Sequence, residues 1–278
     1  MSGQVVHTIQ NTNGSVTGIV ALNGRLYVSY VDIEHIAVYS TKTFQHQQHL
    51  NFTCQRCSMV HGSLKCQNCY RKTKQSLRNM VGCGVNNCLY ASDKNYCYIW
   101  KGAIGGNNTV SWWRVDGDPQ GLSVTSLHNL LVAVSSDDTL REYSTDGKLI
   151  RQISCKLAGI SRPMHVVQLS NYHYAVTHHS PKHQFTIISA DGQLVGSYHS
   201  DVGHMKKPRG IAVDKQGRML VTDQKNDRIL VIDGKTLSAY PLPVNCQLNG
   251  PYSIHYDSAN RRLYIGEWNG GRIVCCKL

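Results

Sequence analysis

A propeller of six four-stranded antiparallel blades is predicted by three observations: a strand meander, its recurrence along the chain, and an unpaired strand at the start. The meander is clearest from Lys207 to Asp233. Two apolar runs, Ile211 to Val213 and Met219 to Val221, flank the turn Asp214-Lys215-Gln216-Gly217, and a third, Ile229 to Ile232, follows the polar link Asp223 to Arg228. Short apolar runs separated by turn residues read as antiparallel strands joined by tight connections.

The recurrence gives the number of blades. The second strand of each unit begins near Leu26, Leu89, Leu131, Tyr174, Leu220 and Leu263, at spacings of 63, 42, 43, 46 and 43 residues. Third strands follow at Ile36 to Tyr39, Cys97 to Trp100, Leu140 to Tyr143, Phe185 to Ile188, Ile229 to Ile232 and Ile273 to Cys276. A period in the low forties with several strands per unit is the signature of propeller blades. The sixth unit stops after its third strand, while Val5 to Ile9 precedes the first unit without a partner. Using that strand as the outer strand of the last blade closes the ring and removes an open sheet edge. The expectation is a single domain over residues 1–278.

The first spacing exceeds the period by about 20 residues. The excess falls on a basic, cysteine-rich insertion, 53–76, between the first and second blades, containing Cys54-Gln55-Arg56-Cys57 and Cys66-Gln67-Asn68-Cys69. Thiolates two residues apart converge on one ion, so Cys54, Cys57, Cys66 and Cys69 are candidate ligands of a structural tetrahedral zinc. A reduced loop without metal and a disulfide pair in an exported protein are the alternatives. The chain has 11 cysteines, an odd number. Its first residues lack the charged-then-apolar pattern of an export signal, and no apolar run reaches membrane-spanning length. A cytoplasmic, monomeric domain without membrane contact is expected.

Charge points to a partner. Lys and Arg number 29 against 17 Asp and Glu, for a formal balance of +12. No acid occurs between Glu34 and Asp93, a stretch that holds Arg71, Lys72 and Lys74. Links from an outer strand to the next inner strand open on one face of a propeller, as do links between second and third strands. That face therefore gathers the insertion with Lys206, Lys207, Arg209 and Lys225. His165 and Tyr252 begin inner strands beside the channel, as stacking side chains or as plugs. A basic face attracts phosphate backbones or acidic peptides.

The spacing Pro208, Gly210, Asp214, Gly217, Asp223, Asn226 and Arg228 resembles the NHL repeat, and the chain as a whole is similar to the C-terminal propeller of tripartite-motif NHL proteins. In that group the propeller accompanies a RING, B-box zinc modules and a coiled coil; it recruits protein targets or RNA hairpins, and the RING transfers ubiquitin. The resemblance implies a protein- or RNA-binding scaffold serving as the substrate-recruiting component of a ubiquitin-ligase pathway. A RING needs eight ligands for two ions, and four cysteines cannot supply it, so no ligase activity is expected in this chain.

Six-bladed propellers also include calcium-dependent lactonases and a zinc-dependent amidating lyase, whose sites need carboxylates or several histidines in the channel. Here the inner strands open with Thr17-Gly18, Asn79-Met80, Gln120-Gly121, Met164-His165, Arg209-Gly210 and Tyr252-Ser253. One histidine and no carboxylate favour a non-enzymatic domain with no small-molecule substrate. An enzyme of the lactonase or lyase type and a purely structural interaction domain are the other readings.

Overall fold

The computed structural model describes residues 2–10, 14–33, 35–51, 76–93, 95, 97–105, 110–180, 184–198 and 203–278. The insertion with Cys54, Cys57, Cys66, Cys69, Arg71, Lys72 and Lys74 lies outside the described residues.

The described residues form 24 strands in six four-stranded sheets. After β1 (Gln4–Ile9), blade 1 holds β2 (Val16–Leu22), β3 (Arg25–Tyr30), β4 (His35–Ser40) and β5 (His46–Asn51). Blade 2 holds β6 (Leu77–Cys83), β7 (Cys88–Asp93), β8 (Tyr98–Ala103) and β9 (Val110–Arg114); blade 3 holds β10 (Pro119–Val124), β11 (Leu130–Val134), β12 (Thr139–Tyr143) and β13 (Leu149–Ser154). Blade 4 holds β14 (Ser161–Gln168), β15 (Tyr174–Ser180), β16 (Gln184–Ile188) and β17 (Leu194–Ser197). Blade 5 holds β18 (Pro208–Val213), β19 (Met219–Asp223), β20 (Arg228–Ile232) and β21 (Ala239–Pro241). Blade 6 consists of β22 (Pro251–Asp257), β23 (Arg262–Glu267) and β24 (Ile273–Lys277), completed by β1.

Ring closure follows the sequence expectation. β1 pairs antiparallel with β24, from Gln4 opposite Lys277 to Ile9 opposite Ile273. It starts one residue earlier than the apolar pattern suggests, because polar Gln4 still finds a ladder partner. The Gly3 N–H donates to the Pro243 carbonyl at 2.8 Å and the Val5 N–H to Asn245 Oδ1 at 2.6 Å, tying the strand across to the link that follows blade 5. β8 begins at Tyr98 rather than Cys97, whose φ of 55° takes it out of the extended conformation.

Central strands such as β3, β11 and β19 are buried along almost their whole length because both sheet faces pack against neighbouring blades. The core is accordingly a set of wedges between blades rather than one central mass. Ala212, Leu220 and Val231 meet Leu263 and Ile265 between blades 5 and 6, while Val16, Leu26 and Val28 meet Tyr264 and Ile273 between blades 6 and 1.

Candidate functional site: the basic mouth of the channel

Each inner strand breaks register near its start, after the first ladder pair in five blades and after the second in blade 4. The breaks fall at Val16/Gly18, Leu77/Asn79, Pro119/Leu122, Pro163/His165, Pro208/Ile211 and Pro251/Ser253. An irregularity of this kind re-aims side chains. The equivalent residues released at the break are Thr17, Arg78, Gln120, Met164, Arg209 and Tyr252.

Five of these, all but Thr17, line one small cavity at the channel mouth together with Asn79, Gly121, His165 and Gly210; its volume is about 20 Å³. Thr17 is buried and hydrogen-bonds Ser29 Oγ at 3.1 Å. The mouth is framed from outside by hydroxyls on second strands. Ser92 donates to the Gln120 carbonyl at 2.6 Å, Thr177 to the Arg209 carbonyl at 2.7 Å and Thr222 to the Tyr252 carbonyl at 3.2 Å, each reaching into the next blade. Gly121 is required here: a Cβ would sit 2.3 Å from His165 Cδ2 and 2.6 Å from the Met164 carbonyl.

The Arg209 guanidinium lies over the Tyr252 ring, 5.0 Å from its centroid, and Tyr252 in turn packs on Trp268 at 4.8 Å. Arg209 Nε donates to Gln224 Oε1 at 3.2 Å, and Nη1 approaches Met164 Sδ at 3.9 Å. No carboxylate pairs with it among the described residues. Its pKa is lowered, first by burial and then, against a raising effect of Tyr252, by the like charges of Arg78 and Arg162. Arg78 donates to Gln120 Oε1 and stands 3.7 Å from Asp118 Oδ2. Arg78 of blade 2 and Arg162 of blade 4 thus both act on Arg209 of blade 5, at a mouth whose lining includes no acid.

Lys206 and Lys225 are exposed and joined by backbone, the Lys225 N–H donating to the Lys206 carbonyl at 2.9 Å. Lys207, half-buried with φ of 59°, leads into β18. The structure therefore gathers Arg209, Tyr252, Lys206, Lys207 and Lys225 on one face. His165 belongs to a lower layer, 8% exposed, between the mouth and the channel beneath. Burial pushes its pKa down to about 4 against a raising hydrogen bond to the Leu122 backbone, so the ring is neutral at neutral pH.

The repeated acid position is structural. Fully buried Asp223 accepts from Arg228 Nε at 2.8 Å, Asn226 Nδ2 at 2.7 Å and the Lys206 N–H at 2.6 Å. Glu267 repeats the arrangement with Arg272 at 2.6 Å and the Asn249 N–H at 2.9 Å. Among the described residues no group of three or more His, Cys, Asp or Glu is arranged to hold a metal ion. Nor is any helix there long and apolar enough to cross a membrane.

Sequence reading missed Arg78, Arg162, Gln120, Met164 and Trp268 as parts of this site. In blade 2 it took Asn79-Met80 as the strand opening, one residue past the true equivalent Arg78-Asn79. Aligning the inner strands on the residue that pairs with the acid position of the second strand, Leu77 with Asp93 as Pro208 with Asp223, gives the correct frame.

No family model matches the chain. Among curated proteins it is similar to "Protein brain tumor" of Drosophila melanogaster and to "B-box type zinc finger protein ncl-1" of Caenorhabditis elegans, each 27% identical over 120 residues. Those matches cover 42% of this chain but only 11% and 14% of the two relatives, so it corresponds to a small part of either. Among solved structures, a streptogramin B lyase superposes with a TM-score of 0.66 at 12% identity over 98% of this chain and 86% of that one. Virginiamycin B lyase from Staphylococcus aureus gives 0.67 at 10% identity over 98% of both chains. Identities this low establish a shared fold and nothing further.

Proposed function

We propose that this propeller is a non-enzymatic recognition domain that binds a negatively charged partner across the channel mouth, with RNA the class its chemistry fits best and an acidic protein segment the other. The observation that carries this reading is the convergence of Arg78 and Arg209 on one acid-free cavity, with Arg162 near enough to perturb Arg209. Planar guanidinium groups hydrogen-bond phosphate and stack on bases, and the Tyr252 ring holds one of them in place. The similarity to a B-box zinc finger protein agrees with the tripartite-motif resemblance. Within that reading the domain recruits substrates for a ubiquitin-ligase pathway in the cytoplasm, with Arg71, Lys72 and Lys74 extending the basic face.

The experiment is an electrophoretic shift with RNA pools at several salt concentrations. Reversing Arg209, Lys206 and Lys207 to Glu should weaken binding far more than Lys148→Glu on the opposite face, and the salt dependence should flatten by nearly one unit for each phosphate that the variant no longer neutralises. Lys215 is a poor control, because with Arg218, Tyr256 and Arg261 it lines a separate cleft of about 580 Å³. Equal effects of the two sets of reversals would reduce the attraction to net charge alone and remove the site.

A further inference from the structure

The cavity at the channel mouth is small, and its free hydrogen-bonding groups are all donors. Its volume of about 20 Å³ exceeds the roughly 10 to 15 Å³ that one water needs, so it fits a water or a monatomic ion rather than a polyatomic group. Two guanidinium groups reach it from opposite sides. Arg78 of blade 2 leans toward blade 3, where it donates to Gln120 Oε1, and Arg209 of blade 5 leans toward blade 4, where its Nη1 lies 3.9 Å from Met164 Sδ. Gln120 and Met164 both line the cavity, so both head groups end on its wall.

Asn79 adds a third donor. Its Oδ1 accepts from the Leu122 N–H at 3.0 Å, which leaves the Nδ2 hydrogens without an acceptor among the described residues. Neither that Nδ2 nor the unpaired Nη2 of Arg209 is sealed from solvent. The charges are unequally balanced. Arg78 stands 3.7 Å from Asp118 Oδ2, whereas Arg209 meets only the Gln224 amide oxygen and the Tyr252 ring. Water in the cavity would satisfy N–H groups but leave the half-buried Arg209 cation uncompensated, and an anion supplies both needs.

We propose that the mouth cavity is a halide site, occupied by one chloride ion that accepts from the N–H groups of Arg209, Arg78 and Asn79. The halide site rests on the reading of the mouth as anion-binding and deepens it: the free protein carries its own inorganic counter-ion, and a partner's phosphate that takes Arg209 must displace it.

Chloride itself is the probe. Added as the potassium salt to the full chain in potassium gluconate at fixed ionic strength, it should show an excess ³⁵Cl line width that saturates and that bromide displaces. Arg209→Gln should abolish the saturable part, whereas Lys148→Gln on the opposite face should leave it unchanged. Should Arg209→Gln fail to fold, Asn79→Asp takes its place: it keeps an acceptor for the Leu122 N–H, sets a negative charge in the cavity, and should abolish saturation too. A crystal grown with bromide in place of chloride should give one anomalous peak between Arg78 and Arg209. A line width that never saturates, equal losses in Arg209→Gln and Lys148→Gln, or a cavity without bromide would each overturn the halide site. RNA binding that persists without the chloride signal would remove this site and leave the proposed function standing; a chloride signal without RNA binding would do the reverse.

Discussion

Arg209 and Tyr252 join blades 5 and 6 at the channel mouth, the guanidinium 5.0 Å from the ring centroid. The pairing separates two contributions to binding. Tyr252→Leu removes the platform but no charge, so affinity for RNA should fall about threefold to fivefold, the worth of an exposed cation–π interaction, at unchanged salt dependence. Arg209→Gln removes the charge and should flatten the salt dependence by about 0.7 to 0.9 for each phosphate left unneutralised. Filter-binding titrations at four salt concentrations distinguish the two variants.

Asp223 carries a second prediction. Its carboxylate is buried while Arg228 is 22% exposed, and the pair also fixes the Lys206 N–H at the mouth. Asp223→Ala leaves a partly buried guanidinium and a backbone donor without their acceptor, and should cost about 3 kcal/mol in urea unfolding. Glu267→Ala in blade 6 should cost a similar amount, since Arg272 repeats the geometry.

These two acids also show what the sequence made legible. Asp223, Asn226 and Arg228 sit at fixed offsets from a recognisable turn, because one hydrogen-bond network must form within a single blade, and local constraints leave local patterns. The mouth is assembled differently. Five of its residues occupy one equivalent position in five of the six inner strands, and the register break there frees that position from the alternation that makes strands readable. Arg78 was hidden by a slip of one residue, and Arg162 acts through proximity across blades that no periodicity encodes.

Ring closure predicts a cooperative loss. Without residues 2–10, β24 exposes an unpaired ladder, and the bridge of Gly3 to Val244 is lost. Thermal unfolding should remain a single transition at a lower Tm. Moving those residues behind Leu278 through a short turn should restore it, since Gln4 already stands opposite Lys277.

The cysteine pairs give a prediction of composition. With all four candidate ligands in one insertion, we propose one zinc per chain, to be found by elemental analysis of protein purified without chelator. Cys66→Ser combined with Cys69→Ser should abolish the metal and leave the Tm of the propeller unchanged, because the blades are packed by other residues. A protein free of zinc as purified would remove the metal.

Two histidines of the inner strands predict how stability depends on pH. His165 falls from the ordinary value near 6.5 to about 4, first because burial disfavours the cation; His255, which lines the same channel cavity between the inner strands, is lowered to about 4 for the same first reason. An unfolded chain takes up these protons near pH 6.5, whereas the folded chain resists until about pH 4, so between those values the unfolded state binds more protons and stability falls as pH falls. Above pH 6.5 the preference for the neutral rings is fully present. For His165 the loss across the window is roughly 3 kcal/mol, at 1.36 kcal/mol per pKa unit. Urea unfolding at pH 7, 5.5 and 4 should therefore show a steeper decline for the unaltered chain than for His165→Gln, which has no proton to gain there; parallel declines would remove His165 as the source of the acid sensitivity.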